Sequence, residues 1–123
     1  MKRNDVFLKT KEFGDLYFKD CLLNFEYPRA FICKKLDSNE LFMFYEMESN
    51  GSSDIWLMVG ISNDEYWNIA NRVVSLQDIY RNKPVNDLCT VINLYLPDDD
   101  ETMITRDGVK WLQYLPKEPV FAE

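Results

Sequence analysis

The sequence predicts an α+β fold: an antiparallel β-sheet of five or six strands in meander order, with two short helices after the fourth strand. Three observations predict it. Apolar residues recur with a period of two through most of residues 16–61. The period changes to that of a helix once, after Ser62. The links between the early strands are of hairpin length, which favours antiparallel neighbours. The chain has 123 residues, within the range of one domain, and residues 1–123 read as a single α+β unit without repeat or linker.

Residues 1–14 read as a short strand or arm around Val6-Phe7-Leu8. Leu16 to Phe25 reads as the first full strand, with Leu16, Phe18 and Leu22 on one face, Tyr17, Cys21 and Leu23 on the other, and Lys19 and Asp20 interrupting. Tyr27-Pro28 breaks it, because proline fixes φ and lacks a donor. Arg29 to Leu36 is the second strand, and Asp37-Ser38-Asn39-Glu40 is a turn of side chains that bond their own backbone. Leu41 to Glu48 is the third strand, and Ile55 to Ile61, after a polar loop, is the fourth. Ser62-Asn63-Asp64-Glu65 fits a capping box. Tyr66, Ile69, Ala70 and Val73 follow as the buried stripe of a helix. Ser75 caps a second helix, Leu76 to Tyr80, which Asn82-Lys83-Pro84 ends. Leu88 to Leu96 is a strand, Met103-Ile104 a short strand, Arg106-Asp107-Gly108 a turn, and Val109 to Leu115 a final strand or short helix. Pro116 to Glu123 is a tail.

Both faces of this sheet are apolar. In the third strand Leu41, Met43, Tyr45 and Met47 point one way, and Phe42 and Phe44 the other. In the fourth, Ile55, Leu57, Val59 and Ile61 oppose Trp56 and Met58. A sheet with one wet face would alternate with polar residues. The expectation is that helices and the C-terminal segment cover both faces, with a partly open face as the alternative.

Several of these segments resemble a small bacterial domain family of uncharacterised function. The resemblance rests on Leu16-Tyr17-Phe18, Glu26-Tyr27-Pro28-Arg29-Ala30-Phe31, Glu40-Leu41-Phe42-Met43-Phe44, Trp56-Leu57-Met58-Val59-Gly60-Ile61-Ser62 and Ser75-Leu76-Gln77-Asp78. They match a tyrosine-rich strand, a D-x-P-x-x-F corner, a Trp-Leu strand and an S-L-R-D turn, across about residues 16–82. Glu26 departs at the corner, and Gln77 stands in place of the arginine. The resemblance implies an order of elements and no activity.

The composition excludes more than it assigns. There is no histidine, which removes Ser-His-Asp and Cys-His nucleophile activation and His-ligated zinc. Gly14, Gly51, Gly60 and Gly108 stand alone, so no glycine-rich phosphate loop is present. Cys21, Cys33 and Cys89 lie far apart within expected strands and read as small buried hydrophobes. Asp98-Asp99-Asp100-Glu101 lacks the spacing of a calcium loop. No catalytic, cofactor-binding or metal-binding residues are expected, and no cofactor.

The net charge is −7. Residues 1–61 hold 10 acids against 8 bases, and residues 62–123 hold 11 against 6. Such a field opposes direct nucleic-acid and membrane contact and suits a basic partner. Aromatic residues make up 15% of the chain, and aromatics anchor interfaces as well as cores. The expected function is therefore a non-enzymatic protein-binding module of a bacterium or phage, of immunity or inhibitor type and cytoplasmic. Its expected contact residues are Asp98, Asp99, Asp100, Glu101 and Trp67. The partner is another protein with a basic surface, and a homodimer is compatible with this. The alternatives are a small-molecule or nucleotide-binding domain and an acidic mimic of nucleic acid.

Overall fold

A computed structural model of the chain describes residues 6–36, 38–49, 53–94 and 101–123. The strands are β1 (Leu8–Thr10), β2 (Gly14–Phe25), β3 (Tyr27–Lys35), β4 (Leu41–Ser49), β5 (Ser53–Ile61), β6 (Cys89–Leu94) and β7 (Glu101–Thr105). Two α-helices, α1 (Asn63–Ala70) and α2 (Leu76–Arg81), join β5 to β6 through a short 3-10 turn at Val85–Asp87. A 3-10 helix, Gly108–Tyr114, follows β7.

The open antiparallel meander is corrected by the sheet topology. The seven strands form a closed barrel in the order β1 to β7. Each strand from β1 to β6 pairs antiparallel with the next. The ring then closes with a parallel junction, where Lys9 lies opposite Glu101 and Thr10 opposite Thr102. The closing strand is only three residues long. The short strand or arm expected around Val6-Phe7-Leu8 lies here, but its second partner, β7, is far away in sequence, so nothing local signals the closure. Closure removes the sheet edges that a meander would leave.

Closure also explains the two apolar faces. One cluster contains Leu8, Leu16, Phe31, Cys33, Phe42, Phe44, Trp56, Met58, Cys89 and Val91, all from strands. It is the barrel interior, filled by side chains as in other small barrels. The second cluster takes the opposite faces of the same strands, through Ile32, Met43, Leu57 and Val59, and adds Ile69 from α1 and Leu76, Ile79 and Tyr80 from α2. Leu115 and Ala122 complete it. The helices and the tail therefore cover the outer wall, while the other face needs no cover because the sheet curls around it.

Two other readings change. Leu16 and Leu22 do not share a face: Leu16 lies inside the barrel and Leu22 in the outer cluster. Register shifts between Phe18 and Asp20 and between Cys21 and Leu23 intervene. An extra residue in a period of two turns the following side chains over. Likewise, the stripe expected along the first helix is cut short. Ala70 is exposed, and Val73 lies beyond the helix and faces solvent. The helix ends where Arg72 takes a left-handed φ of 60°. Val73 N–H then donates to Asn68 O and Arg72 N–H to Ile69 O, the pair of bonds of a Schellman ending.

The Ser-Leu-Gln-Asp segment has a visible purpose. Ser75 Oγ accepts from Asp78 N–H and caps α2. The buried Gln77 amide donates to Pro116 O (2.9 Å) and Glu118 O (2.6 Å) and accepts from Val120 N–H (2.9 Å). One side chain thus satisfies the backbone of an extended tail without using that tail's sequence.

Candidate protein-interaction site at the barrel mouth

The strand directions place two sets of chain ends at opposite mouths of the barrel. At one mouth lie the β1–β2 turn, the start of β4 and the end of β5. Phe13 sits half-buried there against Phe42, with ring centroids 5.1 Å apart. The Arg106 guanidinium lies 5.7 Å from the centre of the Phe13 ring and pairs with Glu12. The cavity that Phe13, Phe42 and Arg106 line is small, about 160 Å³. This end is plugged.

The other mouth, where β1, β3 and β5 begin, is built differently. Interior aromatics run toward it as a connected set. Phe31 stacks on Phe44 at 4.9 Å and meets the edge of Trp56 at 5.1 Å, and all three are buried. Phe31 also meets Phe7 at 5.1 Å and Phe18 at 5.9 Å, and Phe7 meets Phe18 at 5.2 Å. These last two rings are 44% and 41% exposed. Here the barrel core reaches solvent. Beside them is a cavity of about 300 Å³ lined by Phe7, Leu8, Tyr27, Pro28, Phe31, Asp54 and Trp56.

A polar cluster frames that cavity. Tyr27 Oη donates to Glu46 Oε2 at 2.6 Å, and Arg29 Nη1 donates to Glu46 Oε1 at 2.5 Å. The Arg29 guanidinium lies 4.0 Å from the centre of the Tyr27 ring. The bond to Glu46 holds the Tyr27 phenol above its ordinary pKa and the Arg29 guanidinium likewise. Partial burial and the charge of Asp54 push Tyr27 the same way. Asp54 is 4% exposed on the cavity wall and has interactions within the chain.

The positive φ of Glu26, 71°, makes this corner possible. It lets Phe25 and Tyr27 face one another directly across β2 and β3. Tyr27 and Pro28 therefore belong to β3 rather than interrupting the chain before it. Pro28 lies opposite Asn24, beside a register shift, a position where a strand tolerates proline.

The residues singled out from sequence fall elsewhere. Trp67 lies on α1 and is 60% exposed, outside the aromatic set around Phe31. Glu101 opens β7 opposite Lys9 at the closing junction. Asp98, Asp99 and Asp100 lie outside the described residues. Among the described residues, no three cysteine or carboxylate groups converge as metal ligands. Among the described residues no helix is long and apolar enough to cross a membrane. Phe7, Phe18, Tyr27 and Asp54 escaped the sequence reading because their meeting depends on barrel closure. The Tyr27-Pro28 corner was the one local signal near them.

No family model, curated protein or solved structure matches the chain. Any functional reading therefore rests on the geometry.

Proposed function

We propose that the chain is a non-enzymatic module that binds another protein through the open aromatic mouth of its barrel. The observation that supports it is the difference between the two mouths. One is closed by Phe13 and the Arg106–Glu12 pair, whereas the other brings Phe7 and Phe18 to the surface in contact with the buried column. Half-exposed aromatics held rigidly by a core lose little freedom on binding, which is what an interface anchor needs. The net charge of −7 favours a basic partner and fast encounter with it. The immunity or inhibitor type and the cytoplasmic setting belong to the same proposal.

The test is site-specific photo-crosslinking in bacterial lysate. A photoreactive residue at Phe18 should capture one discrete protein, and the same residue at the exposed Lys117 should not. Phe7→Ser, with the circular dichroism spectrum unchanged, should lower that capture at least fivefold. Equal capture from both positions, or capture only from Trp67, would remove the mouth as the interface.

A second reading has its own observation. A shallow trough of about 530 Å³ lies between the end of β4 and the 3-10 helix, lined by Met47, Glu48, Lys110, Trp111, Gln113 and Tyr114. Its size and mixed lining suit a small polar molecule. Ligand-dependent quenching of Trp111, absent in Trp111→Phe, would favour this reading.

A further inference from the structure

We infer that the cavity at the open mouth receives an arginine side chain of the partner protein. The inference rests on the protein-binding reading above and names the group recognised.

Size is the first argument. About 300 Å³ is the lower limit of ligand pockets, so the space suits one long side chain better than a drug-sized molecule. The second is the wall. Four of its seven lining residues are aromatic: Phe7, Tyr27, Phe31 and Trp56. Aromatic faces attract cations, most strongly where water is excluded. A guanidinium is planar and weakly hydrated, and it stacks on rings better than an ammonium does. The chain already shows this pairing at the rim, where Arg29 lies over both Tyr27 and Phe25.

The third argument is sign. Arg29 and Glu46 form an ion pair at the rim, so together they contribute no net charge to the cavity. Asp54 is a wall residue, and its negative charge is felt at the Tyr27 phenol. The chain's net charge of −7 acts in the same direction and favours a cation over an anion. The partner side chain would slide its methylenes along Leu8 and Pro28 and stack its guanidinium on the rings.

The experiment is an NMR titration of the full-length protein with n-butylguanidinium, watching the Trp56 indole N–H. n-Butylurea, neutral and similar in shape, is the control. A saturable shift is expected with the guanidinium, with at least fivefold weaker binding of the urea. Phe7→Leu should weaken the guanidinium at least threefold, and Phe7 is exposed enough for this change to leave the fold intact. Asp54→Asn should weaken it as well, provided the amide spectrum stays dispersed. Equal binding of both probes, or shifts that leave Trp56 unmoved, would overturn the inference while crosslinking through Phe18 could still stand. A cation-selective shift with no protein captured through Phe18 would overturn both the partner side chain and the protein-binding reading, leaving a small organic cation as ligand.

Discussion

Gly108 stands where the chain leaves β7 and folds back against β6. Its N–H donates to Leu88 O at 3.1 Å. A Cβ there would lie 2.6 Å from Cys89 N and 2.7 Å from Leu88 C, both backbone atoms that cannot swing aside. Gly108→Ala must therefore lift the 3-10 helix off the barrel, and overpacking of this kind costs about 1–3 kcal/mol. Urea denaturation midpoints check it, and an unchanged midpoint would mean that the helix does not press on β6 this closely. The neighbouring Asp107 works through charge. A hydrogen bond from Thr105, outweighing some desolvation and aided by Lys110, lowers its pKa from 3.8 to about 2. Its folded pKa lies below its unfolded one, so its stabilisation is present above pH 3.8 and is lost as pH falls through about 2. Asp107→Asn should flatten the acid limb of the stability curve between those values. Thermal melts at several pH values would show it.

At the scale of the element, α1 is the part most plainly written in local sequence. Ser62 Oγ accepts from Glu65 N–H (3.1 Å), and Glu65 Oε1 accepts from Ser62 N–H (2.8 Å), a complete capping box. Lys83 pairs with the same carboxylate. Burial alone would raise the Glu65 pKa, but these partners together lower it. Ser62→Ala should cost about 0.5–2 kcal/mol, read from denaturation midpoints, and no change would mean that the cap carries no stability. Caps were legible because the interacting residues lie three apart. The face assignments of β4 and β5 were legible too, since those strands alternate without interruption through most of their length. What β2 would do was not legible. Lys19 and Asp20 mark an interruption there, but the bulges are defined against β3, so the exchange of faces could not be placed from them alone. The C-terminal stop of α1 was hidden for another reason. An arginine fills the left-handed position where glycine is usual, and its Nε–H donates to Ala122 O at 2.7 Å, fifty residues on. The candidate site suffered most, because single exposed residues such as Trp67 were weighed without knowing where the core comes to the surface.

For the whole molecule the decisive feature is closure through β1. Three residues bond β2 on one side, and two of them meet β7 on the other. Lys9→Pro removes a backbone donor from the middle of this strand. It should lower the denaturation midpoint clearly more than Lys117→Pro, a change in the tail. Equal effects would show that the parallel junction contributes little. Stability of the open mouth depends on the same strand, since Phe7 reaches Phe31 only because Leu8 is held in register with Leu16. There is a consequence for biosynthesis. On the ribosome the chain grows at ~5–20 residues each second, and β1 emerges first while its parallel partner emerges near the end. Between the synthesis of Thr10 and that of its partner Thr102 roughly 5–18 s pass at this rate, during which the growing sheet has an unmatched border on each side. The ring can seal only after Thr102 has left the exit tunnel. Slowing translation between β5 and β7 should therefore raise aggregation of this protein in the cell, even though the finished barrel has no border left to stick.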